Sequence, residues 1–373
     1  MSDGPDVVAG LDVAATGAWL ARTCALRPPV TLTPVVGGRS NLTAVVVDAD
    51  GRRVVVRRPP LTGVLASAHD VVREGRIVAA LAGTAVPVPE VLAMTDGTDV
   101  DGPDVPLLVT AHVDGTVVRD RGVAATLAPE VRAAVTAPVT ATLAALHAVD
   151  VDAVGLGELA RRDGYLSRQV ARWSRQLARG SDRPLATLER LAATLADVAP
   201  AQTEVALVHG DYRLDNLIVT PDGTAVRAVL DWELATLGDP LADLGTLLAY
   251  WGVPATPATA ASVVHPDLPT VLPGFAPPET LVEGYAAASG RDPAELAERL
   301  RPYVAFAWFR IACIVEGVRM RTAAGAYGTA GAAADPAVDA ELELLADLVP
   351  QLADRALAVA SRSGPLQFGH ELS

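Results

Sequence analysis

Eight polar-rich residues, His209-Gly210-Asp211-Tyr212-Arg213-Leu214-Asp215-Asn216, are closed on both sides by apolar runs, Val205 to Val208 and Leu217 to Val219. The runs have the length and composition of short buried strands, so the block is predicted to be a polar loop at the mouth of a short hairpin. A second hairpin strand, Val226 to Leu230, then delivers Asp231-Trp232-Glu233. Three oxygen-bearing side chains, Asp211, Asn216 and Asp231, are thereby expected at one rim. Carboxylate and amide oxygens suit Mg²⁺, which keeps several waters and takes its remaining ligands from substrate phosphates. An isolated His-Gly-Asp can equally be an ordinary turn capped by Asn216. The convergence of three such oxygens at one rim suits phosphoryl transfer.

Composition removes several competing chemistries. All 30 basic residues are Arg and the chain contains no Lys. A Walker A loop and a Schiff-base enzyme both need a lysine amine, so neither is available. No Gly-x-Ser-x-Gly elbow occurs, which weakens a hydrolase reading. Gly155-Leu156-Gly157-Glu158-Leu159-Ala160 has dinucleotide-fingerprint spacing, but the preceding Val149 to Val154 is acidic and a poor strand. A net charge of −14 argues against nucleic acid as a partner. Cys24 and Cys313 stand far apart without ligand-spaced neighbours, so they are expected to be buried thiols. No apolar run approaches the roughly 20 residues that span a bilayer. Met1 to Asp6 is acidic and lacks the layout of a secretion signal, so a cytoplasmic location and no membrane partner are expected.

The coarse pattern is β-rich first and helix-rich afterwards. Thr31 to Val36, Leu42 to Val47 and Val54 to Arg58 read as an antiparallel meander broken at Gly37-Gly38 and Asp48-Ala49-Asp50-Gly51. Ser67 to Leu81 has helical spacing, and short apolar runs follow near Val91 and at Pro106 to Val109. Pro129 to His147 reads as one long helical segment broken at Pro138, Tyr165 to Arg179 as another, and the chain from Glu279 onward as helical almost throughout. The stretch Gly252 to Pro278 reads as an extended connection. These expectations define an α+β fold with a small antiparallel β lobe, residues 1–113, and a large helical lobe, residues 114–373, with a helical insertion at about 155–200.

The run from His209 to Asn216 resembles the catalytic loop of the aminoglycoside phosphotransferase and choline kinase superfamily, whose fold is protein-kinase-like. Leu230 to Leu244, containing Asp231-Trp232-Glu233 and Gly238-Asp239-Pro240, is especially similar to the branch associated with acyl-CoA dehydrogenases. The resemblance extends over nearly the whole chain, from Gly37-Gly38-Arg39-Ser40-Asn41 through Val56-Arg57-Arg58 to Leu146-His147. It implies an ATP- and Mg²⁺-dependent small-molecule kinase. Asp211 would be the catalytic base, with Asn216 and Asp231 holding magnesium, His209 packed beneath the loop, and Asp243 bonding back to its backbone. Gly37, Gly38, Ser40 and Asn41 would lie over the nucleotide phosphates, and glycine backbone N–H groups can serve that purpose. The family normally places Lys on the third strand. Here Arg57 or Arg58 stands there, alternation lets only one face the cleft, and the family pattern selects Arg57 with Glu74 as its partner. The lobe-joining hinge implies adenine contacts at Ala111 and Val113.

The acceptor leaves a fainter trace. Arg168, Arg172, Arg175 and Arg179 share one helix face opposite Leu166, Val170, Trp173 and Leu177. Such a face is commonly just solvated. As a wall of an acceptor pocket it would favour an anionic hydroxy acid or hydroxyacyl-CoA, in keeping with the acyl-CoA-associated branch, over a cationic aminoglycoside or a macrolide. A nucleotide-binding pseudokinase is the reading of another class; intact Asp211, Asn216 and Asp231 oppose it.

Overall fold

A computed structural model describes residues 7–8, 10–35, 41–60, 70–98, 102–251, 268–324 and 336–368. A ribbon of β1 (Val7–Val8) and β2 (Leu11–Asp12) leads into α1 (Val13–Thr23). Asp12 caps α1 by accepting the Ala15 N–H at 2.7 Å. This opening goes beyond the sequence expectation, because Thr16, Gly17 and Thr23 are weak helix formers and the helix depends on the burial of Trp19 and Leu20.

The expected meander forms as β3 (Thr31–Pro34), β4 (Leu42–Val47) and β5 (Arg53–Arg58). Helix α2 (Val71–Leu81) follows, then β6 (Val91–Thr95) and β7 (Leu107–Ala111), completing an antiparallel sheet of order β3-β4-β5-β7-β6. One sheet face packs Val46, Val54, Val56 and Val109 onto Trp19, Leu20 and Leu26. Helix α2 takes the other, where the bare Gly75 admits Leu108: a Cβ there would lie 2.8 Å from its Cδ1. Alternation along β5 therefore sends Val54, Val56 and Arg58 one way and Arg57 the other, toward α2.

The helical lobe begins with α3 (Arg121–Thr126), α4 (Pro129–Ala134) and α5 (Thr136–His147). The predicted break in Pro129 to His147 exists but falls at Val135, not at Pro138. Proline sits instead in the first turn of α5, where its missing N–H has no helical partner to lose. Next come α6 (Tyr165–Gly180) and α7 (Ala186–Val198). Four short strands, β8 (Ala206–Val208), β9 (Leu217–Val219), β10 (Val226–Val229) and β11 (Thr236–Gly238), precede α8 (Leu241–Trp251). The chain closes with α9 (Pro278–Ser289), α10 (Pro293–Ala323) and α11 (Pro336–Ala360), matching the helical expectation for that region. Tyr303, Phe306, Trp308 and Phe309 of α10 are almost wholly buried. Truncating one such aromatic to Ala would cost roughly 3–5 kcal/mol. Glu316 of α10 is also buried, and it accepts from Arg183 Nη2 at 2.7 Å and Ser181 Oγ at 3.1 Å, tying the α6–α7 turn to α10. Cys24 and Cys313 are buried and free. Among the described residues no helix is long and apolar enough to cross a membrane.

Candidate active site

The strand pairing differs from the expected hairpin around the His209 loop. β8 does not pair with β9; it pairs with β11, while β9 pairs with β10. The two antiparallel pairs are nested along the chain, and their registers set Val208 opposite Thr236 and Leu217 opposite Val229. The β8–β9 loop and the β10–β11 turn must then emerge at the same rim, which brings Asp211 and Asn216 to the side of Asp231. Two bonds lock them together: Leu230 N–H donates to the Asn216 carbonyl at 2.8 Å, and His209 Nε2–H to the Leu230 carbonyl at 2.9 Å.

His209 is wholly buried, and its Nδ1 accepts the Asp211 N–H at 3.2 Å, so both ring nitrogens are committed and the tautomer is defined. Asp243, in the first turn of α8, accepts His209 N–H on Oδ2 at 2.6 Å and Gly210 N–H on Oδ1 at 2.8 Å. His147 Nε2 approaches the same Oδ2 at 3.4 Å. Gly210 adopts φ +82°, and a Cβ there would meet the Leu234 carbonyl oxygen at 2.8 Å, so this position admits only glycine without movement.

Asp211 is surrounded by donors. Arg213 Nε reaches its Oδ2 at 3.0 Å, Asn216 Nδ2 the same oxygen at 3.1 Å, and Arg310 Nη2 its Oδ1 at 3.2 Å. Burial pushes the Asp211 carboxyl upward, but the charges of Arg213 and Arg310 and the Arg213 hydrogen bond outweigh that and hold it below the ordinary range. The neighbouring Asp215 moves the other way: burial raises it to about 6, against the pull of Arg213 at 3.0 Å and with the repulsion of Asp211 added. Arg213 also stacks over the Tyr250 ring at 4.8 Å. A cavity beside this stack is lined by Arg213, Asp215, Tyr250, Trp251 and Arg119.

Across the cleft, Arg57 bridges two carboxylates, Glu74 Oε1 and Asp231 Oδ1, each at 2.8 Å. Arg58 points to the far face and donates to the Gly10 carbonyl. Asp231 is held at φ +67°, a left-handed conformation that costs a non-glycine residue of order 1 kcal/mol or more and that clusters at functional sites. Two further side chains of the β lobe grip the same turn, Asn41 Nδ2 on Glu233 Oε2 at 3.4 Å and Arg73 Nη2 on the Ala235 carbonyl at 2.6 Å. Buried polar atoms remain without partners here: Asn41 Oδ1, Arg57 Nε and Glu74 Oε2. Asn216 directs its Nδ2 to the Asp211 carbonyl and carboxylate, which turns its amide oxygen away and leaves that oxygen able to meet a cation.

Gly37, Gly38 and Ser40 lie outside the described residues. Ala111 ends β7 with its N–H committed to the Glu90 carbonyl at 2.8 Å, so only its carbonyl can serve a base there; Val113 follows two residues on. On α6 the apolar face is buried as expected. Arg168 bonds the Arg161 carbonyl at 2.7 Å, Arg172 lies close enough to perturb Arg73, and Arg175 is exposed. Arg73, Arg213 and Arg310 were not expected at the site. For Arg310 a signal exists: it is the lone charge in the apolar run Val304 to Val315.

A β lobe bearing a cation–carboxylate pair, set over a loop carrying an aspartate and an asparagine and a turn carrying a second aspartate, defines a protein-kinase-like phosphotransferase. A sequence model of the phosphotransferase enzyme family matches residues 31–303, and the chain belongs to that family, whose members are small-molecule kinases. It is 35% identical over 309 residues to acyl-CoA dehydrogenase family member 10 of Mus musculus, covering 82% of this chain and 28% of the relative. Over 339 residues it is 32% identical to family member 11 of Gallus gallus, covering 90% and 41%. The chain thus spans between about a quarter and two fifths of the length of these curated relatives. Among solved structures, a "putative aminoglycoside phosphotransferase" from Ralstonia eutropha JMP134 is similar at TM-score 0.69 and 27% identity over 93% of this chain and 98% of that one. An ethanolamine kinase of Plasmodium vivax, 10% identical, shares the fold at TM-score 0.54 over 89% and 82%.

Proposed function

We propose that this chain transfers the γ-phosphoryl group of ATP to a hydroxyl of a small anionic molecule, a hydroxy acid or a hydroxyacyl-CoA thioester. The observation that carries this reading is the convergence of Asp211, Asn216 and Asp231 at one rim, opposite the Arg57–Glu74 pair. Residues 1–113 act as the nucleotide lobe and 114–373 as the catalytic and acceptor lobe. Asn216, through its amide oxygen, and Asp231, through its carboxylate, would hold magnesium; the arginine paired with Asp231 supports reading this carboxylate as a cation acceptor. Bound there, the ion supplies charge neutralisation on the phosphates. Arg57 meets phosphate oxygens with its planar fork. Asn41, Ala111 and Val113 would serve the nucleotide side, and Gly37, Gly38 and Ser40, outside the described residues, keep the phosphate-binding role that the family resemblance implies.

Asp211 performs the proton chemistry. Its carboxylate orients the acceptor hydroxyl and takes its proton as the acceptor oxygen bonds to phosphorus and the bond to the β-phosphate oxygen breaks, ADP leaving with that electron pair. Low basicity suits such a role, because a loose transition state needs the proton late. An anionic acceptor is supported by Arg119 and Arg213 in the cavity beside Asp211 and by Arg172 near the cleft. The thioester class is supported by the names of the relatives.

The test is a transfer screen with ATP and Mg²⁺ against hydroxy acids, hydroxyacyl-CoA esters, aminoglycosides, macrolides and choline, read by product mass. A phosphorylated acid or thioester is the outcome expected. Transfer to an aminoglycoside, macrolide or choline alone would overturn the acceptor class, and nucleotide binding without any transfer would favour a regulatory module.

A further inference from the structure

Arg310 lies on α10 inside the run Phe306-Ala307-Trp308-Phe309-Arg310-Ile311-Ala312, and its side chain is 4% exposed. A guanidinium in such a place is expensive unless it is paired. Its recorded partners are both in the catalytic loop: Nη1 donates to the Gly210 carbonyl and Nη2 to Asp211 Oδ1, while its buried Nε has none. A helix 99 residues further along the chain thus reaches into the loop at the base itself.

The donors around Asp211 are unevenly shared. A carboxylate offers about four acceptor positions, two on each oxygen. Oδ2 takes Arg213 Nε and Asn216 Nδ2 and is filled; Oδ1 takes Arg310 alone and keeps one position. The other charged or titratable groups around the carboxylate are His209 and Asp215 of the same loop and Tyr250 of α8.

We propose that Arg310 is a positioning residue for phosphoryl transfer: by holding the Gly210 carbonyl and one lone pair of Asp211 Oδ1, it aims the remaining lone pair of that oxygen at the acceptor hydroxyl. This rests on the reading of Asp211 as the base. Arg310 itself touches neither nucleotide nor acceptor, so its loss should slow transfer and leave nucleotide affinity alone. A misplaced catalytic group can cost about 10²-fold, and a loss of that order in kcat is expected for Arg310→Ala.

Two measurements test the proposal on the full chain. In the first, transfer to the acceptor returned by the screen is measured for Arg310→Ala, alongside calorimetric ATP binding and a melting curve. The kcat should fall about 10²-fold with Kd for ATP unchanged, and millimolar guanidinium, but not equal sodium or urea, should restore part of it saturably. A parental kcat, or a loss that guanidinium does not relieve in a protein that melts and binds ATP like the parent, overturns the proposal. If Arg310→Ala does not fold, Arg310→Lys replaces it; that variant must keep ATP affinity and lose kcat by an intermediate factor, and a parental kcat again overturns the idea. The second measurement needs no turnover: the side-chain N–H resonances of Arg310 in ¹⁵N-arginine protein should be protected from exchange and should shift in Asp211→Asn. Unprotected or unshifted resonances refute the contact whatever the chain catalyses, whereas protected resonances in an Asp211→Asn enzyme of parental turnover would keep the contact but discard the reading of Asp211 as base and, with it, the positioning role.

Discussion

Two arginines face the cleft from opposite lobes, and they hold their aspartates in different ways. Arg57 comes from β5, sits 17% exposed, and divides its fork between Glu74 and Asp231. Arg310 comes from the packed interior of α10 and gives its fork to one loop, Gly210 and Asp211. If Asp231 holds magnesium as proposed, it must exchange its cationic partner when the ion binds, and the nucleotide side would rearrange its contacts on loading. Asp211 has three donors from its own lobe and one open position, so on the proposed reading the acceptor side is set beforehand, the β lobe serving exchange and the helical lobe preorganisation.

The largest effect should come from the preset side. Asp211→Asn keeps shape and hydrogen bonding but cannot take a proton, so kcat should fall by about 10²- to 10⁴-fold while calorimetric ATP binding persists. Parental turnover in a mutant that melts like the parent would remove Asp211 from the mechanism. On the exchanging side, Asp231→Asn replaces a charged hard ligand by a neutral one. The magnesium concentration for half-maximal turnover should rise by roughly 100-fold, the upper end for losing a group that tunes a bound metal; an unchanged magnesium curve would show that Asp231 serves only Arg57.

A smaller effect concerns the two loop carboxylates. Asp215 titrates near 6, above the ordinary carboxylate value, so its neutral form favours the folded state. That contribution is complete below about pH 4 and is lost as pH rises through 6. Asp215→Asn, never ionised, should therefore gain up to roughly 2 kcal/mol relative to the parent between pH 4 and pH 7. Melting curves at both values, without nucleotide or magnesium, check the sign; a gain on acidification would reverse it. The smallest change is expected for Arg57→Lys, where a point charge cannot bridge Glu74 and Asp231 together. Loss of one charged hydrogen bond corresponds to about a tenfold rise in KM for ATP with kcat nearly kept. No change would mean that the fork itself is irrelevant to phosphate binding.

What was legible in the sequence was whatever sits close together along it. His209, Asp211 and Asn216 fall within eight residues, Asp231 arrives one hairpin later, and strand alternation separates Arg57 from Arg58. The pairing of β8 with β11 was not legible, because three-residue strands carry no register signal and the simpler hairpin uses the same apolar runs. Helix α1 escaped because it owes its existence to the sheet beneath Trp19 and Leu20. Arg310 escaped as a site residue for a different reason: helical periodicity marks it as interior, but only the packing of α10 against the loop says what an interior guanidinium faces.

The arginine at the position of β5 proposed to face the phosphates also sets which reagents can find this enzyme. The chain has no lysine, so none of its side chains carries a primary amine. Acylating nucleotide probes, reductive methylation and amine-directed crosslinkers act on an unprotonated amine, and a guanidinium that stays protonated at any practical pH offers them nothing. An activity-profiling experiment that tags kinases through an amine beside the phosphates would pass over this protein even at full occupancy, whereas dicarbonyl reagents such as phenylglyoxal, which condense with guanidinium groups, should mark Arg57 and be blocked by ATP.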